Sequence, residues 1–377
     1  MTETKPLSGF RIIELAGIGP GPYAGQLLAD MGAEVILINR PGAMGDIPMI
    51  SNRRKKTIKL DLRKPEGVAV LLDLVKTADA IFEGLRPGVV ERLGIGPEQC
   101  HAVNSKLVYG RMTGWGQTGP WAKMAGHDIN YISITGALAA MGKKGEPPAP
   151  PLNLVGDFGG GAMFLVTGLL AALLKAEKTG EGDVVDAAMI DGTSSLMTIF
   201  YSLAGLGRWS AERESNLLDG AMPYYRCYTT QDKKFMAVGC IEPQFFAEML
   251  SKLGIDPQDF GPQNRTEHHA EQHKKLETLF ASKTRDEWAV LFDGSDACVS
   301  PVLTYEEAAE HPQNRARGGL KKQGPFMHPR SAPVFMSNSD DATFSIPNGH
   351  ADAEDILTSL GYDADKIASL SEGKVIG

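Results

Sequence analysis

The sequence predicts an α/β protein: a doubly wound, mostly parallel sheet in the first half, then a smaller α+β domain. Three observations lead there. Short apolar runs alternate with amphipathic helical stretches from residue 11 to about residue 205, which implies parallel pairing through crossover helices. Glycine is abundant, 43 of 377 residues, as in chains with many turns and close backbone approaches. Near residue 220 the pattern changes to two adjacent β runs joined by a polar turn.

In order, RIIELA (11–16) reads as the first strand, followed by a Gly/Pro loop and a helix over 23–31. EVILIN (34–39) and TIKLDL (57–62) read as the next strands. A helix over 66–77, strands at 80–85 and 106–112, a helix over 161–175, a strand at 184–189 and a helix over 194–203 continue the layer. YRCYTT (225–230) and FMAVGC (235–240) flank QDKK as an antiparallel hairpin, with helices after them at 244–253 and 285–292. The tail turns Pro- and Ser-rich from about 324 and ends in two short helices, 351–360 and 364–370. The expected division is a large domain over 1–205 completed by 325–377, a linker over 206–220 and a small domain over 221–324.

A net charge of -8 argues against a non-specific nucleic-acid binder, which carries a basic surplus. The four cysteines, at 100, 227, 240 and 298, form no Cys-x-x-Cys pair and read as free thiols of a reducing compartment. The most apolar run, Gly161–Leu174, is shorter than the ~20 residues that span a bilayer, so the expectation is a buried helix and no membrane. The N-terminus has no signal-peptide pattern, and KVIG is no peroxisomal tripeptide, so a cytoplasmic location is expected.

The loop Gly17–Pro22 fails as a dinucleotide fingerprint, because Pro22 stands where the third glycine belongs; a tight strand–helix turn is the other reading. Arg40 ends the second strand where an NAD-binding fold would carry an acid. Seven basic residues crowd 52–64: Arg53, Arg54, Lys55, Lys56, Lys59, Arg63 and Lys64. They read either as a solvated face or as an anion site for a polyphosphate, with Arg86 and Arg92 nearby. The glycine-rich segment 110–120 begins at a strand end, the usual place for ligands in such sheets, or is a plain loop. His127, Asp157 and Glu242 each have a bland alternative: a satisfied histidine, a helix N-cap and a helix-start carboxylate. His268, His269 and His273 lack the partners of a zinc pattern and read as a helix face, so no metal is expected.

GIGPGPYAG (17–25), INRPG (38–42), LDLR (60–63), RPGVVERLG (86–94), GRMTGWGQTGP (110–120), GHDINY (126–131), PPLNLVGDFGGG (150–161), VVDAAMIDG (184–192), LLDGAMPYY (217–225), VGCIEPQF (238–245) and SDACVSPVL (295–303) occur in one chain, in order. With this set the sequence strongly resembles the α-methylacyl-CoA racemases, within the family III CoA-transferase fold. The resemblance implies a Rossmann-like large domain, a small domain and two chains interlocked as a homodimer. It places the active site between the large domain of one chain and the small domain of the other.

It further implies an acyl-CoA thioester substrate and a reaction that inverts the carbon bearing a 2-methyl branch. A proton leaves one face of a planar enolate and another arrives on the opposite face, so two acid/base groups are needed and no cofactor beyond the substrate's own CoA. By this resemblance His127 and Asp157 are the two bases and Glu242, from the other chain, orients His127. CoA contacts are expected from Arg40, Leu60, Asp61, Leu62, Arg63, Arg86 and Arg92. Gly126, Asp128, Ile129, Asn130 and Tyr131 are expected to flank the thioester, with a backbone N–H near 127–128 at the enolate oxygen. Met189, Met197 and Met222 are candidates for an adaptable acyl surface, or are core. The setting implied is fatty-acid or sterol side-chain breakdown. The alternative is a CoA-transferase in which Asp157 attacks the thioester as a nucleophile.

Overall fold

The computed structural model of the protein describes residues 5–41, 49–336, 346 and 352–377. Gly42, at the end of the INRPG segment, and Ala351 lie outside the described residues. The chain divides into two units, one made of 1–137, 151–198 and 320–377, the other of 138–150 and 199–319.

The first unit is built on a six-stranded parallel sheet: β1 (Arg11–Leu15), β2 (Glu34–Asn39), β3 (Lys56–Lys59), β4 (Ala80–Glu83), β5 (Val108–Thr113) and β6 (Asp183–Ala188), in the order β3-β2-β1-β4-β5-β6. Its helices are α1 (Pro20–Asp30), α2 (Pro65–Lys76), α3 (Val89–Leu93), α4 (Pro97–Val103), α5 (Asp128–Ser133), α6 (Met163–Thr179) and α7 (Met189–Leu196). Neighbouring strand residues serve opposite faces. Ile12, Val35 and Phe82 pack with α1 and α6, whereas Ile13, Ile36 and Ile81 pack with α2, α4 and the C-terminal segment. A sheet covered on both sides favours apolar residues on both faces, which is why RIIEL and EVILIN read as near-continuous apolar runs, broken in RIIEL by Glu14. Each large side chain so buried contributes about 1.5–3 kcal/mol of transfer free energy.

Several elements differ from the sequence reading for identifiable reasons. Helix α1 begins at Pro20 instead of residue 23, because a proline in the first turn has no N–H to lose and a φ already suited to the helix. The β3 strand stops at Lys59; Leu60 bridges Ile376, and the Asp61 N–H bonds the Val375 carbonyl, so the C-terminal segment covers this sheet edge. Helix α6 is preceded by a π-helical stretch, Leu154–Ala162. The continuous helix Leu154–Thr179 is therefore, by length and composition, long and apolar enough to cross a membrane, which the shorter run 161–174 did not suggest. In this fold its buried stripe, Leu165, Leu169, Leu173 and Ala176, lies in the core beside β5 and β6.

The second unit contains α8 (Thr198–Gly205), of which Thr198 still belongs to the first. Its three-stranded antiparallel sheet is β7 (Tyr225–Thr229), β8 (Phe235–Gly239) and β9 (Val299–Val302). The expected hairpin pairs Thr229 with Phe235. The third strand carries Pro301 and sits at the sheet edge, where a missing N–H costs nothing. Helices α9 (Pro243–Leu253), α10 (Pro257–Phe260), α11 (Thr266–Phe280), α12 (Arg285–Phe292), α13 (Tyr305–Glu310) and α14 (Pro312–Arg317) complete it. Leu138–Pro150 groups here because Arg213 donates to the carbonyls of Ala139, Lys143 and Glu146. After it, the first unit resumes with a hairpin, β10 (Leu320–Gln323) and β11 (Phe326–Pro329), and ends with α15 (Ala353–Ser359) and α16 (Ala364–Glu372).

Candidate active site

The strand order reverses direction between β1 and β4, and the loops at their carboxyl ends diverge there, leaving a crevice. A cavity of about 1060 Å³ occupies it. Its walls come from Leu15–Gly19 at the end of β1 and beyond, Asn39 and Arg40 at the end of β2, Leu60–Arg63 after β3 and Leu85 after β4. Tyr23, Asn153, Phe158 and Phe326 also line it. Arg40 is exposed and makes no ion pair among the described residues. Asp61 holds Arg63 in a two-point ion pair, Nε to Oδ1 at 2.8 Å and Nη2 to Oδ2 at 2.9 Å. The bond to Arg63 holds the Asp61 carboxyl down at about 2.

Of the basic run over 52–64, several members are engaged within the first unit. Arg53 is buried against Asp30, with Nε at 3.0 Å from Oδ1 and Nη1 at 2.8 Å from the Pro329 carbonyl. Arg54 reaches the same Asp30 at 3.5 Å, and Lys56 reaches Glu34 at 2.6 Å. Lys64 donates to the Gly373 carbonyl at 2.6 Å. Lys55 pairs with Glu14 at 2.6 Å, both side chains at 0% exposure, and also donates to the Pro22 carbonyl at 3.0 Å. Burial pushes the Glu14 carboxyl up and the Lys55 ammonium down, each partly restored by the other. This pair was not singled out from the sequence. The available signal is an acid inside an apolar strand, which requires a buried partner. Arg86 and Arg92 are exposed after β4 and on α3, and neither lines the cavity.

The GHDINY segment forms the start of α5. His127 is the exposed N-cap residue, its N–H bonded to Asn130 Oδ1 at 3.0 Å. Ile129 and Asn130 are exposed; Asp128 and Tyr131 turn inward, and Tyr131 Oη donates to the Gly126 carbonyl. The 110–120 loop packs here instead of lining the cavity: Trp115 lies edge-on to Tyr131 with ring centroids 4.8 Å apart.

Asp157 is not an N-cap. It lies inside the π-helical stretch, half-buried, and Asn153 Nδ2 donates to its Oδ2 at 3.2 Å. Gly19, at φ +68°, closes over it: a Cβ there would stand 2.7 Å from Asp157 Oδ2. Asp157 thus sits directly behind three cavity-lining residues, Gly19, Asn153 and Phe158. Burial pushes its carboxyl above the ordinary range; the Asn153 bond opposes this, the Asp128 charge adds to it and His127 opposes it.

His127 and Asp157 therefore belong to the first unit, with Arg40 and residues 60–63 around its cavity. Glu242 is exposed at the N-cap of α9 in the second unit; the Cys298 thiol there is raised by burial first and then by the Glu242 charge. Met189 and Met197 are buried, Met189 in the main core, so packing accounts for both; Met222 is a partly buried neighbour of the second unit's core. The three histidines of α11 do not form a solvated face: His269 is buried with Nε2 at 3.1 Å from the Gln263 carbonyl, and His273 Nε2 lies 2.8 Å from the Ala221 carbonyl. All four cysteines are free.

The chain is 40% identical over 377 residues to an alpha-methylacyl-CoA racemase of Mus musculus, covering 98% of this chain and 97% of that protein. It is 33% identical to a succinyl-CoA–D-citramalate CoA-transferase of Chloroflexus aurantiacus, covering 99% and 98%. The crystal structure of a CAIB/BAIF family protein from Brucella suis superposes with a TM-score of 0.78 at 25% identity, covering 95% of this chain and all of that one. Residues 7–347 match CoA-transferase family III, and the chain belongs to that family.

Proposed function

We propose that the protein is a racemase of 2-methylacyl-CoA thioesters, interconverting the (2R) and (2S) forms by proton transfer between two groups. The observation that carries this reading is Asp157, a carboxyl raised by burial, set behind the wall of a large crevice and within the electrostatic reach of His127. The 40% identity to the mouse racemase along nearly the whole chain supports it.

The thioester carbonyl accepts the charge left when the α-proton departs, so an enolate forms without a redox cofactor. Raising Asp157 suits it to hold a proton and deliver it to one face, while the His127 imidazole takes the proton from the other. The roles exchange in the reverse direction. The N–H groups at the start of α5 supply oxyanion stabilisation. Glu242, contributed by the partner chain of a homodimer, holds the His127 ring. The crevice takes CoA, with Arg40 and the Asp61-anchored Arg63 toward its phosphates. The setting is the breakdown of branched acyl chains.

The likeness to the citramalate CoA-transferase favours one other reading, in which ionised Asp157 attacks the thioester and carries the acyl group. Incubation of each 2-methylacyl-CoA enantiomer in deuterated water separates the two. Deuterium at C2 with convergence on one R/S mixture from both sides is expected. No exchange, with CoA moved to an added carboxylate, would overturn the racemase reading.

A further inference from the structure

Asp128 follows His127, yet its side chain points away from solvent and is 6% exposed as a residue. Its Oδ2 accepts the backbone N–H of Asp157 at 2.7 Å, joining the start of α5 to the π-helical stretch. Its Oδ1 is buried and makes no hydrogen bond among the described residues. Gly156 leaves the space for this carboxylate: a Cβ there would stand 2.6 Å from Asp128 Oδ2. A carboxylate buried on one N–H is costly, and an apolar side chain would fill the same volume at less expense. What the arrangement provides is a fixed negative charge beside the Asp157 carboxyl.

We propose that Asp128 is a positioning residue for Asp157, anchoring its peptide through the N–H bond and setting a negative field on its carboxyl. The proposal rests on the acid/base role of Asp157 argued above. The groups facing Asp157 are few. Asn153 donates to it from its own stretch. Asp128, His127 and Tyr131 act on it from α5 and its cap. Gly19 meets it from the loop before α1, and α7 meets the adjacent Gly160 and Gly161 through Thr193 and Met189. Asp128 is the member of this set whose charge favours the protonated Asp157. Removing that charge therefore lowers the Asp157 pKa.

Asp128→Asn tests the charge, since the amide oxygen still accepts the N–H and the shape is kept. In the direction where Asp157 gives the proton, kcat falls as pH rises through its pKa; in the other direction kcat rises there. Both limbs are expected to move to lower pH in D128N, with KM changed less than about threefold. Gly156→Ala tests the position by displacing the Asp128 carboxylate, and is expected to lower kcat about tenfold or more with KM held. Titration of the Asp157 carboxyl by carbon-13 NMR, its signal identified by its loss in D157N, reads the proton without turnover. It is expected to move to lower pH in D128N. A D128N titration superimposed on wild type would overturn the proposal. This readout stands even if wild type exchanges no α-proton, an outcome that would sink the racemase reading alone.

Discussion

Replacing Lys55 by methionine tests whether the Glu14–Lys55 pair holds the floor of the crevice. The two charges lie 2.6 Å apart at 0% side-chain exposure. At an effective dielectric of about 20 their attraction is about 6 kcal/mol, and the desolvation of both groups consumes most of it. The intact pair is thus near balance, whereas losing one member strands the other, at about 3–5 kcal/mol. In Lys55→Met the stranded Glu14 escapes by taking up a proton. Its folded pKa then stands further above the unfolded value, folding takes up a proton, and stability declines as pH rises between the two. The loss is therefore expected to grow as pH rises above the ordinary carboxylate range and to shrink as pH falls toward it. Urea unfolding followed by amide exchange in β1 reads the first unit without interference from the second. Glu14→Gln combined with Lys55→Met is expected to recover most of the loss. A single-variant loss below about 1 kcal/mol, or single losses that add in the double variant, would refute the reasoning.

Three further outcomes are expected. Arg40→Ala weakens binding of free CoA about tenfold or more and flattens its salt dependence, whereas Lys56→Ala, already engaged by Glu34, changes it less than about threefold; calorimetry at two ionic strengths decides. Burial raises the Glu83 carboxyl from 4.5 to about 7, so folding takes up a proton between those values and stability falls as pH rises across them. Glu83→Gln flattens that slope in thermal melts, worth on the order of 3 kcal/mol in full. Asp157→Asn abolishes racemisation yet leaves deuterium exchange on the one enantiomer whose α-proton faces His127; loss of exchange from both enantiomers, in a protein that still binds CoA, would count against two separate bases.

Elements whose burial pattern is uniform were legible in the sequence. EVILIN is apolar on both faces and forms a strand over its whole length. YRCYTT and FMAVGC pair across their polar turn as a hairpin. A helix face was readable over 268–273, but the buried stripe of α11 was not, because it begins with His269 and Gln272 before reaching Leu276 and Phe280, so its apolar period is half absent. Basic residues were visible but their partners were not: Asp30, Glu34 and Glu14 sit far upstream, and only the packing of β3 and the preceding loop against β2 and α1 brings them to 53–56. The same holds for Asp128. Its place in GHDINY suggested a ligand contact, and nothing local indicates that its side chain turns to a peptide N–H 29 residues away.

The surroundings of Asp157 bear on which chemistry a family III frame runs. A nucleophilic carboxylate must be ionised, and each unit by which its pKa is raised costs about 1.4 kcal/mol in forming that state below the pKa. Here burial and a neighbouring carboxylate raise Asp157, against the Asn153 bond and His127. Gly19 lies beside Oδ2, and the Asn153 amide bonds the same oxygen. A raised carboxyl and the Asp128 carboxylate bonded to its peptide favour the protonated form of Asp157, which suits proton transfer better than nucleophilic attack.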